Sequence, residues 1–344
     1  MQEIGKGAYG IVKKQNNTAV KTFKKVVHLI QEYTALQYLS DCQYIVHAIN
    51  VDYHKKELTM ELYDCSLRQW LSKYKKNNIV YKIIHDILCG LIELQDRHLS
   101  HSDLKPGNVL VQLNPFKCVL GDCGFVSIAK YSKQQRTAPN YRDIVIVNDQ
   151  KHDMYSFGLC LLELLYNVKP IVYYTYQDIN NVIDKHVDNK IHATLLKRLM
   201  NENRDKRPLA REVLDILSST CPKQSLKMFN DSPSTPTYFK RHSTQYDVDI
   251  LSTIKKGCKQ LNIKRGIRGY QALLMYLCEK NEHRYIDYYV AGLLIILSSL
   301  FSQKTPSITD VINICDIDNY TQNKLVTILN KLTNHQTFLN YLFS

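Results

Sequence analysis

Apolar positions in the first two-thirds of the chain fall into short strand-like runs and longer helical stripes. Thr18-Ala19-Val20-Lys21 follows the turn-forming pair Asn16-Asn17 and reads as one arm of a hairpin whose other arm runs through Ile11-Val12. Leu29, Tyr33, Leu36 and Leu39 recur at helical spacing. Glu57 to Tyr63 reads as a strand and Ser66 to Tyr74 as a short helix. A long apolar helix is predicted from about Ile79 to Leu99, carrying Ile83, Ile84, Ile87, Leu88 and Leu91, and Val109-Leu110-Val111 reads as a strand. Another helix runs from Asp153 through Leu161, Leu162, Leu164 and Leu165. Between Ser219 and Gln245 the pattern breaks. Pro222, Pro233 and Pro236 punctuate it, and Asp231 to Pro236 cannot hold a helix.

Beyond that break every stripe is helical. Leu251, Ile254, Cys258 and Leu261 form one, and Tyr270, Leu273, Leu274, Leu277 and Cys278 a second. Tyr288 to Phe301 is apolar nearly all round, as for a helix surrounded by others. Ser307 caps a short fourth helix ahead of Val311 and Ile312, and Thr321 begins a fifth with Leu325, Ile328, Leu329 and Leu332. The expected organisation is a mixed α+β domain over 1–220, a linker over 221–245 and an all-α domain over 246–344. The linker holds two Ser/Thr-Pro sites, Ser232 and Thr235.

Composition narrows the class. With 44% hydrophobic and 22% charged residues the chain is globular, not disordered. A net charge of +13 favours acidic partners such as nucleotide phosphates, nucleic acid or acidic protein surfaces. From residue 240 on, thirteen Lys and Arg stand against eight Asp and Glu, and six bases fall between Lys255 and Arg268, so a nucleic-acid partner for the tail stays open beside a plain solvated helix face. Ten cysteines without a single C-x-x-C pair, and no signal peptide, point to a reducing compartment, cytoplasmic or nuclear. The run Tyr288 to Phe301 is shorter than the roughly 20 residues that span a bilayer, so no membrane partner is expected.

The candidate chemistry lies in His101-Ser102-Asp103-Leu104-Lys105-Pro106-Gly107-Asn108, between the long helix and a strand. A carboxylate to orient and deprotonate a hydroxyl, a Lys to steady a phosphoryl group and an Asn to hold a metal are the set that phosphoryl transfer needs. The stretch resembles the protein-kinase catalytic loop H-R-D-L-K-P-x-N, with Ser102 in place of Arg. Further motifs resemble that family in the right order. Gly5, Gly7, Gly10 and Val12 match G-x-G-x-x-G-x-V, which lets backbone fold closely over phosphates. Thr18 to Lys21 is similar to the V-A-I-K strand, and Glu32 lies where the C-helix Glu pairs with that Lys. Gly121-Asp122-Cys123-Gly124 resembles the Asp-Phe-Gly metal loop, Thr137-Ala138-Pro139-Asn140 the Ala-Pro-Glu ending, and Asp153-Met154-Tyr155-Ser156-Phe157-Gly158 the D-x-W-S-x-G helix start.

The resemblance implies a bilobal protein kinase fold of the Ser/Thr type, using ATP and Mg²⁺ on protein substrates. Asp103 and Lys105 would be catalytic, and Asn108 and Asp122 would bind metal. Gly5, Gly7, Gly10, Val12, Lys21 and Glu32 would position the nucleotide. Met60 would be the gatekeeper, with the backbone of Glu61 and Tyr63 meeting adenine. Asp153 would brace the catalytic loop. Arg207, whose usual Glu partner is absent at Asn140, would pair with Asp143 or another acid. Ser102 offers no cation to an activation-segment phosphate, so phosphorylation there is not the expected switch. Cys123 replaces the Phe that aligns the lobes, and together with Ser102 and Asn140 this departure leaves open a pseudokinase scaffold whose tail recruits protein or nucleic-acid partners.

The tail resembles a cyclin box, with five helices around a buried third and the phrases Pro306 to Val311 and Asp318 to Thr321. It lacks the Lys that cyclins often place near the end of the central helix, where Leu300 stands. This likeness implies an all-α five-helix cyclin-like bundle acting on the kinase in cis. The Tyr- and Asn-rich composition suggests a gene of a large DNA virus, and hence a host cell as its setting.

Overall fold

The computed structural model describes residues 2–74, 79–128, 138–145, 149–220, 248–261, 286–301, 307–315 and 321–343, with isolated positions 263, 269, 272–273, 276 and 317. The whole expected linker over 221–245, with Ser232 and Thr235, lies outside the described residues, as do Thr137 and most of the second tail stripe. In chain order the strands are β1 (Gln2–Lys6), β2 (Gly10–Gln15), β3 (Thr18–Phe23), β4 (Ala48–Asp52), β5 (Glu57–Glu61), β6 (Cys65–Ser66), β7 (Leu99–Ser100), β8 (Val109–Leu113), β9 (Phe116–Leu120) and β10 (Ser127–Ile128). The helices are α1 (Val26–Tyr38), α2 (Leu67–Lys73), α3 (Ile79–Gln95), α4 (Gln150–Tyr166), α5 (Tyr176–His186), α6 (Lys190–Leu199), α7 (Ala210–Thr220), α8 (Val248–Gln260), α9 (Ile286–Phe301), α10 (Ile308–Ile314), α11 (Gln322–Thr333) and α12 (Gln336–Phe343). No helix among the described residues is long and apolar enough to cross a membrane.

The chain forms two compact units. The first joins residues 2–41 and 47–62 to the helices from residue 248 on. Its sheet is antiparallel with strand order β1-β2-β3-β5-β4. The β2–β3 turn puts Asn16 at φ 52°, a left-handed conformation that Asn tolerates. Helix α1 buries Leu29, Ile30 and Leu36, and it rests on α9, α11 and α12 as well as on the sheet.

Helix α9 is the centre of the tail. Leu293, Leu294, Ile296 and Leu297 are fully buried, which accounts for its all-round apolar sequence. Gly257 lets α8 approach it, because a Cβ there would stand 2.6 Å from Leu294. Helix α10 starts with a reciprocal cap: the Ser307 hydroxyl accepts from the Asp310 N–H at 3.1 Å, and the Asp310 carboxylate accepts from the Ser307 N–H at 2.9 Å. Helix α12 is a correction to the sequence reading, which ends with α11. It is only eight residues long, yet Phe338, Leu339 and Leu342 are buried.

The second unit comprises residues 42–46 and the described residues from 63 to 220. Its core is α3, buried along almost its whole length, against α4, α7 and strand β9. The structure ends α3 at Gln95, not Leu99. Residues 96–98 turn, His98 takes φ 57°, and Leu99 and Ser100 pair with β10 instead. Helix α4 begins three residues before Asp153, because the Asp149 side chain caps it by accepting from the His152 N–H at 2.9 Å.

A buried ion pair ties the end of this unit together. Arg207 is only 1% exposed, and its Nη1 and Nη2 donate to the two oxygens of Asp143 at 2.6 and 3.2 Å. Arg204 also reaches Asp143, and bonds Asp149. Asn140 is exposed and donates to the Pro170 carbonyl. Removing one partner of a fully desolvated pair strands the other charge. Asp143→Ala is therefore expected to cost about 3–5 kcal/mol in urea unfolding, whereas Asn140→Ala should change stability by about 0.5 kcal/mol or less. Equal effects of the two would show that Asp143 is not the anchor.

Candidate active site

In the first unit, β3 sets Lys21 opposite Val12 on β2 and Leu58 on β5. Its Nζ donates to Glu32 Oε2 on α1 at 2.6 Å, with both side chains buried. A charge-assisted bond of this length holds the ammonium where neither side chain could stay alone. Gly5 lies in β1 and Gly10 opens β2, and the loop between them closes with the Gly7 N–H on the Gly10 carbonyl at 2.9 Å. A Cβ at Gly7 would meet nothing within 4 Å, so a ligand can approach the backbone there. Met60 is buried near the end of β5, and the Glu61 N–H is spent on the His47 carbonyl.

In the second unit, the loop that carries His101, Ser102 and Asp103 is pinned by α4. Asp153, 1% exposed, accepts the His101 N–H on Oδ2 at 2.6 Å and the Ser102 N–H on Oδ1 at 2.8 Å. Burial pushes its carboxyl up to about 7, against the two amide donors, which favour the charged form. Ser102 takes φ 66°, and its hydroxyl lies 3.0 Å from that of Ser100. The His101 ring is fully buried. Its Nδ1 accepts the Asp103 N–H at 3.3 Å, which leaves Nε2 to donate to the Gly121 carbonyl at 3.0 Å. Burial lowers its pKa, consistent with this neutral tautomer.

Asp103 thus sits on an immobilised backbone. Its Oδ2 accepts from Lys105 Nζ at 2.5 Å and from Asn108 Nδ2 at 2.9 Å, and its Oδ1 from the Ala138 N–H at 2.9 Å. Asn108 Nδ2 also bonds the Asp103 carbonyl at 2.9 Å, so both of its bonds to Asp103 use the amino group and not the amide oxygen. Asp122 follows Gly121 at φ 56°, and Cys123 behind it is fully buried. An amide oxygen and a carboxylate are hard donors of the kind that hold Mg²⁺ partly through substrate phosphates. No cluster of three or more His, Cys, Asp or Glu able to hold a metal occurs among the described residues. Tyr63 belongs to this unit, just after β5.

Two features escaped the sequence reading. The Ala138 N–H on Asp103 joins residues 35 apart, and nothing local marks it. His152, beside Asp153, is fully buried, and among the described residues neither ring nitrogen has a hydrogen-bond partner.

Comparison with known proteins places these motifs in a lineage. A family model described as Protein kinase domain matches residues 1–230. The interferon-induced, double-stranded RNA-activated protein kinase of Rattus norvegicus is 26% identical over 266 residues, 63% of this chain and 51% of its own length. A protein of Acanthamoeba polyphaga mimivirus, named as a serine/threonine-protein kinase/receptor, is 24% identical over 262 residues, 64% of this chain and 15% of its own. An inactive leucine-rich repeat receptor-like serine/threonine-protein kinase of Arabidopsis thaliana is 30% identical over 183 residues, 45% of this chain and 28% of its own. The chain thus matches about half the length of the rat kinase and much less of the other two.

His152 and Asp153 make opposite contributions to acid stability. Burial lowers His152 from its ordinary 6.5 to about 4, so the stability it contributes is present above 6.5 and lost as pH falls to about 4. Asp153, raised to about 7, contributes stability that is lost as pH rises through that value. His152→Leu removes the first effect only. Between pH 7 and pH 4 the wild type should lose up to about 3 kcal/mol of urea-unfolding free energy relative to this variant. Parallel pH profiles would show that His152 does not titrate as a buried neutral ring.

Proposed function

The chain belongs to the protein kinase family, and we propose that it is a Ser/Thr kinase that transfers the γ-phosphate of ATP to protein hydroxyls under the control of its own helical tail. The observation that carries this reading is the Asp103 carboxylate, bonded to Lys105 and Asn108 on a loop that Asp153 holds rigid. Bound Mg²⁺ would neutralise the charge of the β- and γ-phosphates. Asn108 and Asp122 would supply its protein ligands, and Lys21, fixed by Glu32, would hold the α- and β-phosphates. Asp103 would orient the substrate hydroxyl and take its proton, and Lys105 would steady the transferred group. A Lys two residues after the Asp resembles the Ser/Thr form of the loop and not the tyrosine form. The backbone of Glu61 and Tyr63 would meet adenine. With its N–H engaged, Glu61 would contribute its carbonyl.

Phosphotransfer to a generic basic protein tests this reading. Asp103→Asn should abolish turnover while nucleotide affinity stays nearly intact, since the base acts on the hydroxyl and does not hold ATP. Equal turnover of wild type and variant would remove Asp103 from its role. A wild type that binds nucleotide and transfers nothing would favour a pseudokinase scaffold, the reading supported by the buried Cys123 in place of the family Phe.

The cyclin-like reading of the tail is supported by what lies against α1. Glu32 and Tyr33 are neighbours on this helix. The Tyr33 hydroxyl bonds Asn334 Oδ1, just beyond α11. The Tyr53 hydroxyl lies 3.0 Å from Thr333 Oγ1. Thr333 already donates to the Leu329 carbonyl at 2.7 Å, so Tyr53 is the donor. Burial raises the pKa of both phenols. A tail that clamps α1 would keep Glu32 on Lys21. Truncation after Gln224 is expected to cut turnover severalfold, and adding residues 240–344 in trans should partly restore it. Tyr53→Phe combined with Thr333→Val, in the full chain, should lower turnover in the same direction. If all of these match the intact enzyme, the tail recruits partners and does not activate.

A further inference from the structure

A Cβ at Gly7 would meet nothing, whereas one at Gly10 would stand 2.3 Å from the Thr22 carbonyl, so β2 leaves the glycine loop in tight register with β3. Beyond that point three contacts reach the loop from the end of β3 and the start of α1. The Lys24 N–H donates to the Tyr9 carbonyl at 2.9 Å, and Lys24 Nζ donates to the Ala8 carbonyl at 2.8 Å. The Tyr9 ring meets the His28 ring edge to face, with centroids 4.7 Å apart and planes at 69°. His28 stands four residues before Glu32, and therefore on the same face of α1.

We propose that His28 is a positioning residue for nucleotide binding. Its ring braces Tyr9, so one face of α1 holds the glycine loop through His28 and Lys21 through Glu32. The inference rests on the kinase reading for its ligand, ATP, but not for its geometry. Lys24 ties the loop backbone to the segment between β3 and α1, and the ring contact ties Tyr9 to α1 itself. A shift of α1 would then loosen the phosphate cradle and the phosphate-binding Lys together. Because the Tyr9–His28 pair acts before chemistry, its loss should weaken nucleotide binding more than it slows transfer.

The test is a double-mutant cycle in the full chain with Tyr9→Ala, His28→Ala and both together, plus His28→Phe, which keeps an aromatic edge. The readouts are KM for ATP, kcat on a generic basic protein, and the Kd of a fluorescent ADP analogue. Edge-to-face pairs carry enough energy for a roughly threefold to tenfold change in affinity. His28→Ala and Tyr9→Ala should each raise KM and Kd by that factor, with a smaller change in kcat. The double variant should be no worse than either single one, and His28→Phe should recover most of the loss. Unchanged KM and Kd, additive losses in the cycle, or a His28→Phe variant as weak as His28→Ala would each overturn the proposal. Tyr9 lies in a surface loop, so Tyr9→Ala decides the question even where His28→Ala disturbs α1. A wild type that binds the analogue but transfers no phosphate counts against the kinase reading alone, because the affinity cycle still decides the contact.

Discussion

A carboxylate at the start of α4 fixes the loop on which the proposed chemistry depends. Asp153, fully buried, accepts hydrogen bonds from the N–H groups of His101 and Ser102. Ser102 stands in the left-handed region, where a side chain costs on the order of 1–3 kcal/mol unless its surroundings over-determine it. Two short bonds to one rigid helix supply that constraint. The neutral His101 ring extends it, joining Asp103 at one nitrogen to Gly121 at the other. The loop that carries Asp103 and the strand end that leads to Asp122 are therefore parts of one hydrogen-bonded piece.

The first unit has an analogous keystone in α1. This helix carries Glu32 for Lys21, His28 for Tyr9 and Tyr33 for Asn334. Its sequence is not strongly amphipathic, because sheet and tail cover it on different sides. Helices with two buried faces gain little from solvent and depend on both partners. The tail is in turn built on α9, whose described side chains, Tyr288 to Leu300, are all buried.

Departures from the family motifs are compensated unevenly. Where Asn140 replaces the family Glu, Asp143 takes over Arg207 through two bonds with no exposure on either side chain. Where Ser102 replaces Arg, its hydroxyl turns to Ser100, and no cation is supplied. Cys123 is buried but smaller than Phe, and it offers less apolar surface to whatever packs on it. The first departure preserves an anchor by moving it, while the other two leave a smaller side chain in place.

Local order made much of this legible in the residues alone. The glycine spacing, the hairpin at Asn16-Asn17, the Lys21 strand, the Asp103 loop and the Ser307 cap follow from backbone preferences and short-range periodicity, which a linear chain displays directly. Asp143 could be named as one candidate substitute partner because the resemblance leaves Arg207 without its usual Glu, at Asn140; that the pair is buried only the structure shows. Other features depended on residues far apart in sequence. The end of α3 is decided by strand pairing at Leu99. Helix α12 is too short to show a period and is held by what it packs against. The contacts of Tyr33 and Tyr53 with Asn334 and Thr333 span some three hundred residues. The sequence alone thus determined which candidate groups for the proposed phosphoryl transfer are present and the order in which they come. Tertiary structure decided which of them are fixed, and by what, because immobilising a side chain takes partners that only the folded chain brings within hydrogen-bonding distance.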